Sequence, residues 1–260
     1  MAIDKAVDST ALDNALANIA NAIRTKTGGA DTMTLEQMPS EIEGIESGEI
    51  DHTVEDAIIT RSISGTYEND RITTIGKYAF IACRFLTSAN LSNCVELQDY
   101  AFGTCTSLRS INAPKLTRLG AGVFNGSGLL TFDGSLITSI GDGCFQSALS
   151  LTSVTLPLVE TIPANCLRSC AKLARVGLGA ATSIVRTAFT DSTALETLII
   201  RTETLCTIAD ASVTLRGSKI AAGTGYIYVP DDLVDSYKAE TNWVVFADQI
   251  KGISELEAST

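Results

Sequence analysis

The chain has 260 residues, a formal net charge of −11 and a sequence pI near 4.6; 45% of its residues are hydrophobic, 6% are aromatic and one is a histidine. The acidity argues against a nucleic-acid partner, since phosphate contacts need clustered Lys and Arg and the repetitive middle of the chain holds no basic run. No apolar stretch is long enough to span a membrane, and the opening MAIDKAVD lacks the core of a signal peptide, so the expectation is synthesis in the cytoplasm without membrane insertion.

The first predicted element is a helix over residues 9–26, STALDNALANIANAIRTK. Its Leu12, Leu16, Ile19 and Ile23 form one apolar stripe, and Gly28 and Gly29 end it. Thr34 and Gln37 have capping-box spacing and introduce a second short helix with Met38, Ile42 and Ile45 on one face, although Pro39 disturbs its first turn. Residues 1–45 read either as a hairpin that shields the coils behind it or as a docking or oligomerisation module, because the stripe is also a short heptad seam. Residues 46–60, ESGEIDHTVEDAIIT, are charged and weakly patterned and read as a linker.

A repeat then takes over. Phe80, Phe102, Phe124, Phe145, Leu167 and Phe189 are spaced by 22, 22, 21, 22 and 22 residues, the signature of a solenoid. Ile75, Leu97, Leu119, Ile140, Ile162 and Ile184 keep the same beat ahead of the anchors; Leu86, Leu108, Leu129, Leu151, Leu173 and Leu195 keep it behind them. The 21-residue step places one missing residue between Phe124 and Leu129. After each Leu comes a strand pattern: in Leu151–Pro157, Val154 and Leu156 alternate with Ser153 and Thr155, and a proline, unable to donate to a ladder, ends the strand. A single repeat cannot bury its apolar face, so the strands stack about 4.8 Å apart into a parallel sheet with continuous inner columns.

These motifs carry a resemblance. TTIGKYAFIACRFLTSANL, LQDYAFGTCTSLRSINAP and ITSIGDGCFQSALSLTSVTLP resemble the BspA-like, or Treponema-type, leucine-rich repeats across residues 61–215. The implied fold is a β-rich, α+β right-handed solenoid of about six coils over residues 61–222. Residues 223–260 are similar to the closing segment found after such repeats. In this α/β cap Tyr226 to Val229 reads as an edge strand, Asp231 or Asp232 as the cap of a helix through Lys238, and Trp243, Val245, Phe246 and Ile250 as the cover of the last coil. The segment LDNALANIANAIRTKTGGADTMTLEQMPSEIEGI resembles an N-terminal module of structural and tail proteins of phages and prophages of gut Firmicutes.

Chemistry finds few candidates. His52 lies in the linker with no Ser or Cys motif around it, and no Cys-x-x-Cys occurs, so neither catalytic residues, nor a cofactor, nor a metal site is expected. Cys83, Cys105 and Cys170 share one repeat position, Cys144 and Cys166 another, and Cys94 replaces an aliphatic residue; all read as small buried hydrophobes with reduced thiols. The outward strand positions are more informative: Ser88, Ser110, Thr131, Ser153, Arg175 and Thr197 form one ladder, and Asn90, Asn112, Asp133, Thr155, Gly177 and Ile199 a second. They are either an ordinary solvated surface or a recognition face for host protein or glycan, with Arg175 orienting an acidic or hydroxyl-rich ligand. The resemblances together imply a non-enzymatic virion protein, a tail-associated fibre or adhesin. It would attach to other tail proteins, or form a homo-oligomer, through Leu12, Leu16, Ile19 and Ile23. The alternative is a bacterial surface or secreted leucine-rich-repeat adhesin.

Overall fold

Each coil consists of one longer strand and one two-residue strand, followed in the first six coils by a tight turn around the anchor residue. The computed structural model describes residues 61–258, all in the larger of the two units into which the chain divides. The expected helices with Leu12, Leu16, Ile19 and Ile23, and His52, lie outside the described residues. The coils comprise β1 (Ser64–Glu68) and β2 (Thr74–Ile75), β3 (Phe85–Asn90) and β4 (Glu96–Leu97), β5 (Ser110–Asn112) and β6 (Arg118–Leu119), and β7 (Thr131–Asp133) and β8 (Ser139–Ile140). They continue through β9 (Ser153–Leu156) and β10 (Thr161–Ile162), β11 (Arg175–Leu178) and β12 (Ser183–Ile184), and β13 (Thr197–Ile200) and β14 (Thr207–Ile208). Every pairing is parallel, and Arg175 sits between Ser153 and Thr197 in register, as the repeat predicts.

The anchors form the core. Phe80, Phe102, Phe124 and Phe145 stack with ring centroids 5.0, 6.0 and 5.4 Å apart and planes within 14° of parallel. The turn holding each anchor uses a backbone device that hydrophobic spacing does not announce. Residues two before and two after the anchor have positive φ, including Tyr78 and Ala82, Tyr100 and Thr104, Asn165 and Ser169. Such a conformation costs an L-residue about 1–2 kcal/mol. It points alternate amides along the solenoid: Phe80, Phe102, Phe124, Phe145 and Leu167 each donate to the next coil at 2.7–2.9 Å.

A polar column runs three residues beyond the anchors. Cys105 donates to the Phe80 carbonyl at 2.9 Å, Cys170 to Phe145 at 3.0 Å and Ser192 to Leu167 at 2.5 Å. Ser127 holds the equivalent position next to the missing residue, and its buried hydroxyl has no partner.

The missing residue also divides the sheet. β1, β3 and β5 form one sheet of long strands, and β7, β9, β11, β13, β15 and β16 another; β5 and β7 are not paired. The expected uninterrupted sheet is therefore corrected to two. The short strands divide one coil later, into β2-β4-β6-β8 and β10-β12-β14. Part of the second break lies in Pro163: at its position Gly120 and Gly141 donate to the preceding coil, and proline has no N–H to do so. The coil of β7 and β8 is therefore a ramp, with Gly134 donating forward to Thr155 and Thr138 donating backward to Thr117.

The closing segment contains α1 (Ala211–Thr214), β15 (Tyr226–Val229), a 3-10 turn over Asp231–Leu233, α2 (Val234–Ala239), a second such turn over Val244–Gln249, β16 (Ile250–Gly252) and α3 (Ile253–Glu257). Asp210 caps α1, accepting from the Val213 amide at 3.2 Å. Three expectations are corrected. First, β15 lies between β13 and β16, so it is not an edge strand. Second, no side chain caps the turn at Asp231; its carboxylate instead accepts from the amide and hydroxyl of Ser254, at 3.3 and 3.1 Å, at the start of α3. Third, Val245 is 59% exposed, while Trp243, Phe246 and Ile250 are buried as expected. The closure grips the backbone of one residue from both sides: the Cys206 amide donates to the Tyr237 hydroxyl at 2.8 Å, and the Trp243 indole donates to the Cys206 carbonyl at 2.8 Å.

Ser127→Ala removes an unsatisfied buried hydroxyl and should raise stability by up to about 1–3 kcal/mol, whereas Ser192→Ala orphans the Cys170 amide that donates to it and should lower stability by about 1–3 kcal/mol. Urea denaturation of both variants reads the opposite signs. Burial pushes the Cys105, Cys170 and Cys206 thiols and the Tyr237 phenol up to about 12, above their ordinary values of 9.0 and 10.0. Because the folded values are raised, this stabilisation is complete below pH 9 and is lost as the pH rises toward 12. Urea midpoints should be level from neutrality to about pH 8.5 and then fall steadily; a flat profile to higher pH would contradict the burial of these groups.

Candidate recognition face

The outward ladders form on the long strands because side chains alternate about the sheet, leaving every second residue outside. All ten expected positions, Ser88, Asn90, Ser110, Asn112, Thr131, Asp133, Ser153, Thr155, Arg175 and Thr197, are exposed or half-buried. Within the first sheet Ser88 pairs with Ser110 and Asn90 with Asn112; within the second, Thr131 pairs with Ser153 and Asp133 with Thr155. The structure does not bring Ser110 to Thr131 or Asn112 to Asp133 as neighbours in a ladder. Those four residues line opposite sides of the break.

The face extends past the predicted residues at both ends. Thr66 shares a 2.7 Å hydrogen bond with Ser88, and Asn90 donates to Glu68 at 2.8 Å. Both additions stand one repeat before predicted positions, so the 22-residue period could have found them. At the other end Tyr226 pairs with Thr197 and Tyr228 with Ile199, while Lys251 lies over the Tyr226 ring at 4.1 Å from its centroid. Ile199, expected in the exposed ladder, is buried with Tyr228 and Leu256 because α3 folds over that end of the sheet.

The break is a cleft of about 340 Å³. On one side of it Leu91 donates to Asn112, and on the other Gly134 donates to Thr155; the corresponding bond from Ala113 to Asp133 is not made. The cleft closes at the start of the strands, where Leu130 donates to Arg109 at 3.2 Å. There the Arg109 guanidinium spans the missing residue, donating to the carbonyls of Thr106 at 3.1 Å and Gly128 at 2.8 Å. A Cβ on Gly128 would lie 2.1 Å from both the guanidinium and the Thr106 carbonyl. Gly128→Ala should therefore cost about 1–3 kcal/mol through overpacking, measured by denaturant unfolding, whereas Gly177→Ala, with only ordinary contacts around it, should be better tolerated.

All seven cysteines are buried. Among the described residues no group of three or more His, Cys, Asp or Glu could hold a metal, and no helix is long and apolar enough to cross a membrane.

Stacked parallel strands, a leucine and phenylalanine core and turns repeating every 21 or 22 residues define a leucine-rich-repeat solenoid. The chain belongs to the BspA-type leucine-rich repeat family, whose six-copy repeat region matches residues 60–137 and 130–213. No match was found among curated proteins. Among solved structures it is similar to the pneumococcal vaccine antigen PcpA, at 14% identity and a TM-score of 0.45, over 72% of this chain and 39% of that one. It thus spans well under half the length of PcpA. It is also similar to the Treponema pallidum leucine-rich repeat protein TpLRR, at 22% identity and a TM-score of 0.47, over 64% of this chain and 75% of that one. A leucine-rich cell surface protein from Faecalibacterium prausnitzii matches at 15% identity and a TM-score of 0.25, over 73% of this chain and 79% of that one.

Proposed function

We propose that the protein is a non-enzymatic recognition scaffold of the bacterial surface or a secreted adhesin, which holds a host protein or glycan on the outward face of its long strands. The supporting observation is the set of accessible polar side chains from Ser88 to Thr197, all short except Arg175, each held by its strand over a buried core. Preorganised groups of this kind lose little conformational freedom on binding, and repeat scaffolds present extended surfaces in this way. The surface reading rests on the repeats, which are the part that the family match covers. The virion reading rests on residues 1–45, which the family match does not reach. It stands second, on the resemblance of that segment to phage and prophage tail modules.

Fluorescent full-length protein should bind host cells saturably. Thr155→Arg, at the centre of the face, should weaken binding by about tenfold or more, as loss of a central contact does; Thr182→Arg, away from the long strands, should not. Equal binding by both variants would overturn the assignment of the face. Antibody labelling tests the setting: the protein on the bacterial envelope or in the medium supports the first reading, and its sedimentation with phage particles supports the second.

A further inference from the structure

From the cleft between β5 and β7 we infer a binding site for a single neutral pyranose, the terminal ring of a glycan. The inference rests on the proposed recognition face and narrows it to one place. A wedge closed by Arg109 and Leu130 at one end cannot admit a peptide running the length of both strands, as strand addition requires. It is open at the other end, and its volume of about 340 Å³ lies at the small end of pockets that enclose small ligands.

The lining supplies hydrogen-bond groups of both kinds. Asn112 offers a carboxamide from one lip and Asp133 a carboxylate from the other, and the amide of Ala113 and carbonyl of Asp133 are not joined as the neighbouring coils would join them. Adjacent hydroxyls on a sugar ring both donate and accept, so they match this mixture where an apolar ligand would strand it. Pro114 and Leu136, the latter 46% exposed, give the C–H face of a ring an apolar contact. The Arg109 guanidinium at the closed end is committed to the Thr106 and Gly128 carbonyls, no other Lys or Arg stands at the cleft, and Asp133 disfavours an acidic sugar. One carboxylate is too few for a cation, and no metal-binding group of three or more ligands occurs among the described residues.

Titration of the full-length protein with the methyl pyranosides of glucose, galactose, mannose and N-acetylglucosamine, followed by protein NMR, tests the site. At least one should bind saturably in the millimolar range. Asp133→Leu removes a charged acceptor and should weaken that binding by about tenfold or more. Inserting one glycine after Ser127 restores the 22-residue period; it should close the cleft and abolish binding while circular dichroism keeps the parent spectrum. No saturable response to any of the four, or binding that survives both Asp133→Leu and a folded insertion variant, would overturn the site. So would saturable binding of an alternating Thr-Val hexapeptide in place of the pyranosides, which would assign the cleft to strand addition. Cells still bound through Thr155 by a protein that ignores pyranosides would remove the cleft alone and leave the recognition face standing.

Discussion

The structure depends on each coil offering its neighbours backbone donors and acceptors at matching heights. Three sets of hydrogen bonds meet that demand, along the long strands, the short strands and the anchor turns. Only the turn set runs uninterrupted from Phe80 through Leu167 to the coil of Ala188. It passes the missing residue because the loss falls beyond Ser127, after the turn has closed. The stacked phenylalanine rings inherit their spacing from this set, which explains how the rings on both sides of the loss, Phe102, Phe124 and Phe145, stay within 14° of parallel. The positive φ values at Thr104 and Thr187 are costs that the array bears for these bonds.

Closure at the C-terminal end follows a different logic. A solenoid ends in a strand whose outer edge has no coil to satisfy it, and such edges invite unwanted pairing. Here β15 and β16 extend the sheet, and α3 returns over its outer face to bury Ile199 and Tyr228. The close approach needs Gly252, where a Cβ would meet the Asp231 carboxylate at 2.0 Å. Tyr237 and Trp243 bond the amide and the carbonyl of Cys206, so two aromatic side chains replace the backbone of a further coil.

Much of this was legible in the sequence because a repeat converts one-dimensional spacing into three-dimensional columns. The Phe, Ile and Leu ladders became core, and Ser88 to Thr197 became surface, with no knowledge beyond period and alternation. The sheet breaks were harder. The 21-residue step was visible, but whether the loss would be absorbed in the turn or passed on to the strands depends on how Arg109 and Gly128 pack. Pro163 carried a readable sign in its missing N–H, obscured because Ile162 before it fits the aliphatic ladder. The closing segment lacked a period, so Tyr226–Val229 alternated like an edge strand, and only its pairing with Ile250–Gly252, set across intervening turns, makes it central. Ile199 followed the period of an exposed ladder; α3, from outside the repeat, decided its burial.

The ramp formed by β7 and β8 also bears on how the array loses structure. In a chain of coils, cooperativity is transmitted only through the interfaces between neighbours. At the interface before the ramp the long strands are unpaired and the short strands hold; at the one after it the long strands hold and the short strands are unpaired. Two adjacent interfaces thus carry weakened coupling, in opposite halves of the cross-section. Local opening concentrates where coupling is weakest. The joint accordingly divides the solenoid into an N-terminal block ending at β6 and a C-terminal block starting at β9, which can exchange their amides with solvent on separate timescales while the stack of aromatic rings keeps them on one axis.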